Sequence, residues 1–228
     1  MSNKVVLVTG GAGYIGSHTC KALQRAGFTP VALDNLVNGH RWAVRWGPLE
    51  VADVRDRPQV EAILRRYRPA AVIHFAGFAY VGESMSEPGK YYDNNITGAL
   101  TLLAAMRACE VNKLVFSSTC ATYGIPDEMP IREHTPQQPI NPYGHTKLMI
   151  EQIIDDLVVA EPAFASVSLR YFNPVGAHAS GLIGELPRGV PNNLFPYIAQ
   201  TAAGVRERLR VFGDDYPTPD GTGVRDYI

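Results

Sequence analysis

The sequence has few cysteines and no arrangement of histidine typical of a metal site. Its 228 residues include three cysteines, Cys20, Cys109 and Cys120, which form no CxxC pair, and six histidines without metal-ligand spacing. Paired or clustered cysteines are the usual mark of disulfide frameworks and zinc sites. We therefore expect no metal, and a reducing, cytoplasmic location.

Long apolar runs and an excess of one charge are also missing. No apolar run reaches the length of a membrane span, and no secretory leader precedes the first predicted strand. The 21 basic and 22 acidic residues give a net charge of -1 and form no run of either sign. This balance argues against nucleic acid or an anionic membrane as partner and favours a small ligand.

Strand and helix patterns alternate through the first three quarters of the chain. With 46% hydrophobic residues the chain can bury the core of one domain and part of a second. Predicted strands cover residues 4–9, 30–33, 70–77, 113–116 and 166–170, and predicted helices cover 17–26, 58–67, 88–110 and 143–160. This rhythm predicts an α/β fold, a doubly wound Rossmann-type parallel sheet with helices on both faces.

The amino-acid composition changes after Tyr171, where predicted loops rich in Gly, Pro and Asn surround one predicted helix at 194–203. We predict a dinucleotide-binding domain over residues 1–172 and part of a smaller substrate-binding lobe over 173–228. Ligands of open α/β sheets bind at the carboxyl ends of the strands, where such a lobe is expected to lie. Residues 223–228 look like the start of a strand, so we expect a fragment of a longer protein; a natural terminal strand is the alternative.

The first predicted strand leads into Gly10-Gly11-Ala12-Gly13-Tyr14-Ile15-Gly16 and then a helix. Glycine at these positions lets a diphosphate reach backbone N–H groups at a helix N-terminus. The second strand ends in Asp34, eighteen residues after Gly16. A carboxylate there accepts hydrogen bonds from ribose hydroxyls and repels a 2′-phosphate, so the pattern predicts NAD as the cofactor in preference to NADP.

Tyr143 and Lys147 are four residues apart at the start of a predicted helix and can face one cavity. A free tyrosine has a pKa of about 10. A positive charge about 5 Å away, at an effective dielectric of about 20, is worth roughly 3 kcal/mol. That energy corresponds to about two pKa units toward phenolate. The hypothesis is a catalytic base, although this spacing also arises by chance in many helices.

Taken together, these motifs resemble those of the extended short-chain dehydrogenase/reductase superfamily, and within it the UDP-sugar 4-epimerases. The resemblance covers essentially the whole chain. It rests on TGGAGYIGSH (9–18), LDN (33–35), HFAG (74–77), VGES (81–84), YYDNN (91–95), FSST (116–119), NPYG (141–144), RYFNPVGAH (170–178), PNNL (191–194) and DGTGVRDYI (220–228).

The resemblance implies roles for individual residues. Tyr143 and Lys147 match the catalytic pair, and Thr119 matches a residue that hydrogen-bonds the reacting 4-hydroxyl. Positions matching NAD contacts are Gly10, Gly13, Tyr14, Ile15, Gly16, Asp34, Asn35, Asp53, Val54, Phe75, Ala76, Gly77, Asn94, Tyr143, Lys147 and Tyr171. Positions matching UDP-sugar contacts are Thr119, Tyr143, Asn173, Asn193, Leu194, Phe212 and Arg225. The simpler readings are a strand-end threonine for Thr119, loop amides for the asparagines and a surface cation for Arg225.

The implied activity is interconversion of UDP-glucose and UDP-galactose by inversion at C4. The C4 hydrogen is not acidic, so inversion requires oxidation to a 4-keto sugar and reduction from the other face. In such a reaction Tyr143 would take the 4-hydroxyl proton. The resemblance also implies a homodimer, through the helices at 88–110 and 143–160.

The sequence lacks one cofactor contact of the family, and other activities remain possible interpretations. Some members carry a Lys after the HFAG turn that helps to hold the cofactor, whereas Phe78-Ala79-Tyr80 follows here. A 4,6-dehydratase would need Asp-Glu after Thr119, and a decarboxylating relative a Glu; Cys120-Ala121 stands there instead. Epimerisation of a UDP-N-acetylhexosamine or a UDP-pentose, and an NAD-binding fragment without activity, remain alternatives.

Overall fold

The computed structural model describes residues 4–228, and within that range six parallel strands form one sheet. The strands are β1 Val5–Thr9, β2 Thr29–Asp34, β3 Leu49–Val51, β4 Ala71–His74, β5 Lys113–Thr119 and β6 Ala165–Tyr171. Their order across the sheet is β3-β2-β1-β4-β5-β6. The order reverses between β1 and β4, as in doubly wound dinucleotide-binding folds. The predicted fold class is confirmed.

Helices connect these strands. They are α1 Tyr14–Arg25, α2 Arg57–Tyr67, α3 Val81–Ser86, α4 Pro88–Tyr91, α5 Gly98–Ala108, α6 Pro142–Ala160 and α7 Leu194–Ala202, with a π-helical segment Tyr92–Thr97 and short 3₁₀ turns at Arg41–Ala43 and Cys120–Thr122. Capping side chains and backbone conformation explain where some of these helices begin and end. The Asp56 side chain accepts a hydrogen bond from the Gln59 N–H at the start of α2, and Arg68, with φ of 43°, ends that helix.

The sequence predicted one continuous helix over residues 88–110, and the structure divides it. The π-helical segment separates α4 from α5, and the helix ends at Ala108 because Glu110 adopts a φ of 58°. The wider turn carries two buried amides, Asn94 and Asn95. Such π segments often occur at functional sites. Helix α3 and strand β3 were not predicted, and β5 extends three residues beyond its predicted end.

The core lies mainly between the sheet and the helices α2, α5 and α6. Strand β1 is a β-branched run buried along nearly its whole length, as expected for a parallel strand covered on both faces. The largest side chains with almost no exposed surface are Tyr91, Phe116, Leu7, Leu33, Leu64, Leu102, Met106, Ile150 and Ile154. Burial of a side chain of this size contributes about 1.5–3 kcal/mol. A smaller cluster, with Val6, Val8, Cys20 and Ala32, packs on the face that α1 covers.

The chain divides into two compact units, of which the second is Phe172–Ile228. This unit contains α7 and long loops. Its final segment pairs with its first residues, since Asn173 and Tyr227 form a parallel bridge and the Ile228 N–H donates to the Asn173 carbonyl at 3.1 Å. The strand expected over 223–228 is therefore limited to a single bridge within the described residues.

Within residues 4–228, no helix is long and apolar enough to cross a membrane. In the same range, no group of three or more His, Cys, Asp or Glu side chains is placed to hold a metal ion.

Candidate cofactor and active site

The glycine turn between β1 and α1 is packed too tightly for side chains. Gly10 has a φ of 69°, and a Cβ there would lie 2.7 Å from the Ala76 nitrogen. A Cβ on Gly16 would lie 2.1 Å from the Gly10 carbonyl oxygen. Both positions therefore require glycine, one for its backbone conformation and the other for the close approach of helix to turn.

Helix α1 begins at Tyr14, with Gly13 as its N-cap. Gly13 has no side chain to cover the first turn, so the amino end of the helix is open to an anion. Helix N-termini carry a partial positive charge and N–H groups aimed along the axis. The residue types present thus fit the diphosphate of a dinucleotide.

Asp34 ends β2 beside this turn, and its carboxylate is buried. One oxygen accepts from the Ala12 N–H at 3.0 Å and the other from the Leu36 N–H at 2.8 Å. Burial raises the pKa of Asp34, and these two hydrogen bonds oppose the rise. A carboxylate has about four lone-pair positions. Asp34 can therefore still accept hydrogen bonds from ribose hydroxyls.

Asn35 and Asp53 lie in one cluster of hydrogen bonds. The sequence did not predict this cluster, because Arg55, which had been assigned no role, holds it together. The Arg55 guanidinium donates to both oxygens of Asp53, each at 3.0 Å, and also ion-pairs with Asp93. The Asn35 amide donates to Asp53 at 3.0 Å. Hydrogen bonding from Arg55 holds the pKa of Asp53 well below its usual range. Asp53 is thus a fixed anion, and the neighbouring Val54 is buried.

The turn after β4 is tied to the glycine turn through Thr9. The Phe75 N–H donates to the Thr9 carbonyl at 3.0 Å, and the Ala76 N–H donates to the Thr9 hydroxyl at 3.3 Å. The same hydroxyl lies 2.6 Å from Nδ1 of His74. His74 is buried and stacks on Phe116.

Asn94 and Asn95 join this turn to helix α6. The Asn95 oxygen accepts from the Phe78 N–H at 2.8 Å and from the Asn94 amide at 2.9 Å. The Asn95 nitrogen donates to the Phe78 carbonyl and to the Thr146 hydroxyl. A Cβ on Gly77 would lie 3.2 Å from that Asn95 oxygen and 3.7 Å from Nζ of Lys147. Gly77 and Lys147 therefore lie close together.

Tyr143, Lys147 and Thr119 form a buried cluster, with 8%, 5% and 7% of their surface exposed. Helix α6 begins at Pro142 because the Asn141 side chain caps it, accepting from the Gly144 N–H at 2.8 Å. Thr119 ends β5, and its hydroxyl hydrogen-bonds the Tyr143 phenol. Nζ of Lys147 donates to the Ser117 carbonyl at 2.8 Å and lies 4.9 Å from the centre of the Phe116 ring.

The predicted acidification of Tyr143 is wrong for the chain without a ligand. Burial raises the pKa of Tyr143 to about 12, although the hydrogen bond from Thr119 opposes the rise. Burial also lowers the pKa of Lys147 to about 8. The spacing of the two groups can be read from the sequence, but their desolvation cannot, and removal from water disfavours the charged form of each.

The predicted nucleotide-sugar contacts lie mostly in the second unit. The Asn173 amide donates to the Asp226 carbonyl at 2.8 Å, which places Asn173 beside the segment that carries Arg225. Asn193 precedes Leu194 at the start of α7 and donates to Glu185 at 2.6 Å. Phe212 is 82% exposed, and Tyr171, at the end of β6 in the first unit, is half-buried.

Comparison with known proteins gives a consistent picture. The NAD dependent epimerase/dehydratase family matches residues 6–228. The UDP-glucose 4-epimerase of Yersinia pestis is 53% identical over 232 residues, covering 98% of this chain and 69% of the relative. A UDP-glucose 4-epimerase from Brucella ovis in complex with NAD is similar in structure, with a TM-score of 0.94, 49% identity and coverage of 99% of this chain and 69% of that one. A UDP-glucose 4-epimerase from Bifidobacterium longum in complex with NAD+ and UDP is also similar. Its TM-score is 0.94 at 47% identity, and the match covers 98% of this chain and 70% of that one.

Proposed function

Because the chain belongs to the NAD dependent epimerase/dehydratase family, we propose that it interconverts UDP-glucose and UDP-galactose by inversion at C4. The observation that carries the proposal is the buried cluster of Tyr143, Thr119 and Lys147. This cluster lies next to Gly77 in the turn that Thr9 ties to the glycine turn. A group able to move a proton thus lies at the same edge of the sheet, the carboxyl ends of the strands, as a dinucleotide cradle.

The residues of the first unit fit NAD. The amino end of α1, with Gly10, Gly13, Tyr14, Ile15 and Gly16, would hold the diphosphate. The remaining contacts would come from Asp34, Asn35, Asp53, Val54, Phe75, Ala76, Gly77, Asn94 and Tyr171, with Tyr143 and Lys147. Bound NAD would supply the reversible hydride acceptor that oxidation at C4 requires, together with a positive charge near Tyr143.

Tyr143 would act as the proton acceptor for the 4-hydroxyl. In the ligand-free chain burial favours the neutral phenol, so proton transfer requires positive charge at the site. Lys147, as an ammonium, would provide one such charge, and Thr119 would hold the 4-hydroxyl and the phenol in line. After the ketone has presented its other face, return of the hydride from the reduced cofactor to C4 and of the proton from Tyr143 to the oxygen would complete the inversion.

The second unit would hold the uridine diphosphate through Asn173, Asn193, Leu194, Phe212 and Arg225. Inversion requires the hexose to rotate between oxidation and reduction. The proposed enzyme therefore grips the nucleotide firmly and the sugar loosely. A cation such as Arg225 suits a diphosphate, because its guanidinium can hydrogen-bond two oxygens at once.

The proposal also covers the cellular location, the pathway and the oligomeric state of the enzyme. We place it in the cytoplasm, in galactose metabolism, as a homodimer formed through α5 and α6. Leu100 on α5 and Met149 on α6 are exposed apolar side chains that such a face would bury. Light scattering would give the molar mass of the purified chain. A monomer at micromolar concentration would count against the dimer.

The function is tested in two steps. Denaturing the purified chain and measuring released NAD by mass spectrometry tests the cofactor. Incubation with UDP-galactose, with UDP-glucose detected through a coupled dehydrogenase, then tests the reaction. A chain that releases NAD but forms no UDP-glucose would favour the alternative of an NAD-binding fragment without activity.

A further inference from the structure

An ion pair with a buried carboxylate lies next to the candidate site and has no part in the chemistry described above. Glu151 follows Lys147 by four residues on α6, and only 4% of its surface is exposed. Buried carboxylates are rare unless they are paired. Residues four apart share one face of a helix. Glu151 therefore lies one turn from the lysine of the catalytic cluster.

The Glu151 carboxylate is held from several directions. Arg170 on β6 donates to it at 2.6 Å from Nη2 and at 3.1 and 3.2 Å from Nε. The Ser118 hydroxyl on β5 donates to one oxygen, and the Gln137 amide donates to the other at 3.0 Å. Arg170 donates in addition to the Tyr123 hydroxyl at 2.8 Å. The pair is thus locked in place by groups from two strands and a loop.

We propose, on the basis of the function above, that Glu151 is a positioning residue for the reaction. Its negative charge keeps the Lys147 ammonium protonated inside the protein, and its hydrogen bonds fix the strand end that carries Thr119 against the helix that carries Tyr143.

Glu151 is the negative charge that acts on the Lys147 ammonium. Its ammonium meets the Ser117 carbonyl, the Phe116 ring at 4.9 Å and the Tyr143 ring at 5.9 Å, none of which carries a negative charge at neutral pH. His74, which stacks on the same Phe116 ring, is kept neutral because burial, helped by the charge on Lys147, lowers its pKa to about 3. Burial lowers the pKa of Lys147 to about 8, and Glu151 is the charge that opposes this.

Glu151 can play this part only if it stays ionised. Burial acts to raise its pKa, but the hydrogen bonds from Arg170, Ser118 and Gln137 outweigh that effect, so its pKa lies below the usual value. Arg170 therefore keeps the charge on Glu151, and Glu151 in turn keeps the charge on Lys147.

The geometric part follows from the sheet register. Ser118 lies opposite Arg170 in the β5–β6 ladder, and Thr119 lies opposite Tyr171. Glu151 binds both members of the first pair, so it holds the carboxyl ends of both strands against α6. Thr119 is the next residue after Ser118, so the same contacts hold the residue whose hydrogen bond lowers the pKa of Tyr143.

The test compares Glu151→Gln with the wild-type chain by an NMR titration of the Lys147 ε-methylene signal, identified by its loss in Lys147→Met. A carboxylate one helical turn away, at an effective dielectric of about 20, moves a lysine midpoint by about one to two pH units. We expect a wild-type midpoint near 8 and a lower midpoint, by that amount, in Glu151→Gln. Glu151→Asp, which keeps the charge, is expected to stay near the wild-type midpoint.

Asp155→Asn is the matched control, because Asp155 is an exposed carboxylate one turn further along α6. Its midpoint should equal that of the wild type. If Glu151→Gln does not fold, because Arg170 is left as an uncompensated, partly buried cation, the double variant Glu151→Gln with Arg170→Gln replaces it, and its Lys147 midpoint is compared with that of Arg170→Gln alone, so that the two proteins differ only at Glu151. In folded proteins, a Lys147 midpoint that Glu151→Gln leaves unmoved in its own comparison would overturn the inference.

The activity readout separates this inference from the proposed function. In an active enzyme, the alkaline limb of kcat should move to lower pH in Glu151→Gln and stay in place in Asp155→Asn. An active wild-type chain whose alkaline limb does not respond to Glu151→Gln would overturn the inference and leave the epimerase function standing. A wild-type chain that binds NAD but has no activity would overturn the proposed function, and with it the positioning role.

Discussion

Nζ of Lys147 lies 5.9 Å from the centre of the Tyr143 ring, and its hydrogen bond goes to the Ser117 carbonyl, while the phenol is hydrogen-bonded by Thr119. The two residues of the YxxxK motif are thus neighbours whose hydrogen bonds run to different partners. In the proposed reaction Lys147 would act on Tyr143 through its charge alone, whereas Thr119 hydrogen-bonds the phenol that would take up the proton.

This arrangement predicts that Tyr143→Phe lowers turnover by about 10²–10⁴-fold, because only the proton carrier is lost. NAD released on denaturation should match the wild type, since the ring remains in place. Both quantities can be measured on one preparation. Normal turnover in the variant would contradict the assignment of Tyr143 as the base.

Thr119→Val is predicted to lower kcat and to shift the titration of the Tyr143 phenol. Valine keeps the size of the threonine side chain but removes the hydroxyl that bonds the phenol and accepts from the Ala121 N–H at 3.2 Å. We expect a smaller fall in kcat than in Tyr143→Phe, with the phenol titrating at higher pH, because the bond that lowers its pKa is gone. Ultraviolet difference absorbance of the phenolate, corrected with Tyr143→Phe, would measure that titration. An unchanged phenol midpoint would argue against the bond.

Sequence patterns predicted the sheet well, and for a physical reason. Strands such as β1 are apolar runs buried by their neighbours, so their composition reports their environment directly. The π-helical segment depends instead on the amide of Asn95 meeting Phe78, seventeen residues earlier, which no local pattern contains. The same holds for Arg55, which organises Asp53 through tertiary contacts.

The candidate site shows the same division between what is local and what is tertiary. The spacing of Tyr143 and Lys147 predicts that the two side chains share a helix face, and they do. The pKa shifts could not be predicted, because they arise from burial by surrounding elements. Glu151 was overlooked for a related reason. Its partner Arg170 lies nineteen residues away on the edge strand β6, and only the folded sheet brings them together.

Asp34 is predicted to be required for retention of NAD. Asp34→Ala removes the acceptor for ribose hydroxyls and should lower the NAD content of the purified protein several-fold. Because this variant also leaves the Ala12 and Leu36 N–H groups without their acceptor, Asp34→Asn serves as the comparison, since its amide oxygen preserves one such bond. Equal NAD content in all three proteins would contradict the ribose contact.

Gly16→Ala should disrupt the glycine turn. The added Cβ would lie 2.1 Å from the Gly10 carbonyl oxygen, which belongs to the backbone and cannot rotate away. We expect a loss of about 1–3 kcal/mol in the free energy of unfolding, as for other overpacked sites, together with loss of NAD. Gly82→Ala on α3 is the control, because no atom lies within 4 Å of its added Cβ. It should be neutral or stabilising by up to about 1 kcal/mol. Equal stability of the two variants would refute the close approach.

His74 should make the protein less stable in mild acid. Burial lowers its pKa in the folded chain to about 3, with a further contribution from the charge on Lys147. An unfolded histidine has a pKa of about 6.5. Between these values the unfolded chain binds a proton that the folded chain excludes, so stability falls as the pH falls, by about 1.4 kcal/mol per pH unit.

Urea unfolding at pH 7 and pH 5 would measure this effect, with an expected loss of about 2 kcal/mol attributable to His74. His74→Gln keeps a polar group beside the Thr9 hydroxyl but cannot take up the proton, so it should lose correspondingly less stability over the same interval. His134→Gln, at an exposed position in the loop before α6, should behave as the wild type. If wild type and His74→Gln lost the same free energy between the two pH values, protonation of His74 would not be the cause, and the buried, neutral state assigned to it beside Lys147 would be wrong.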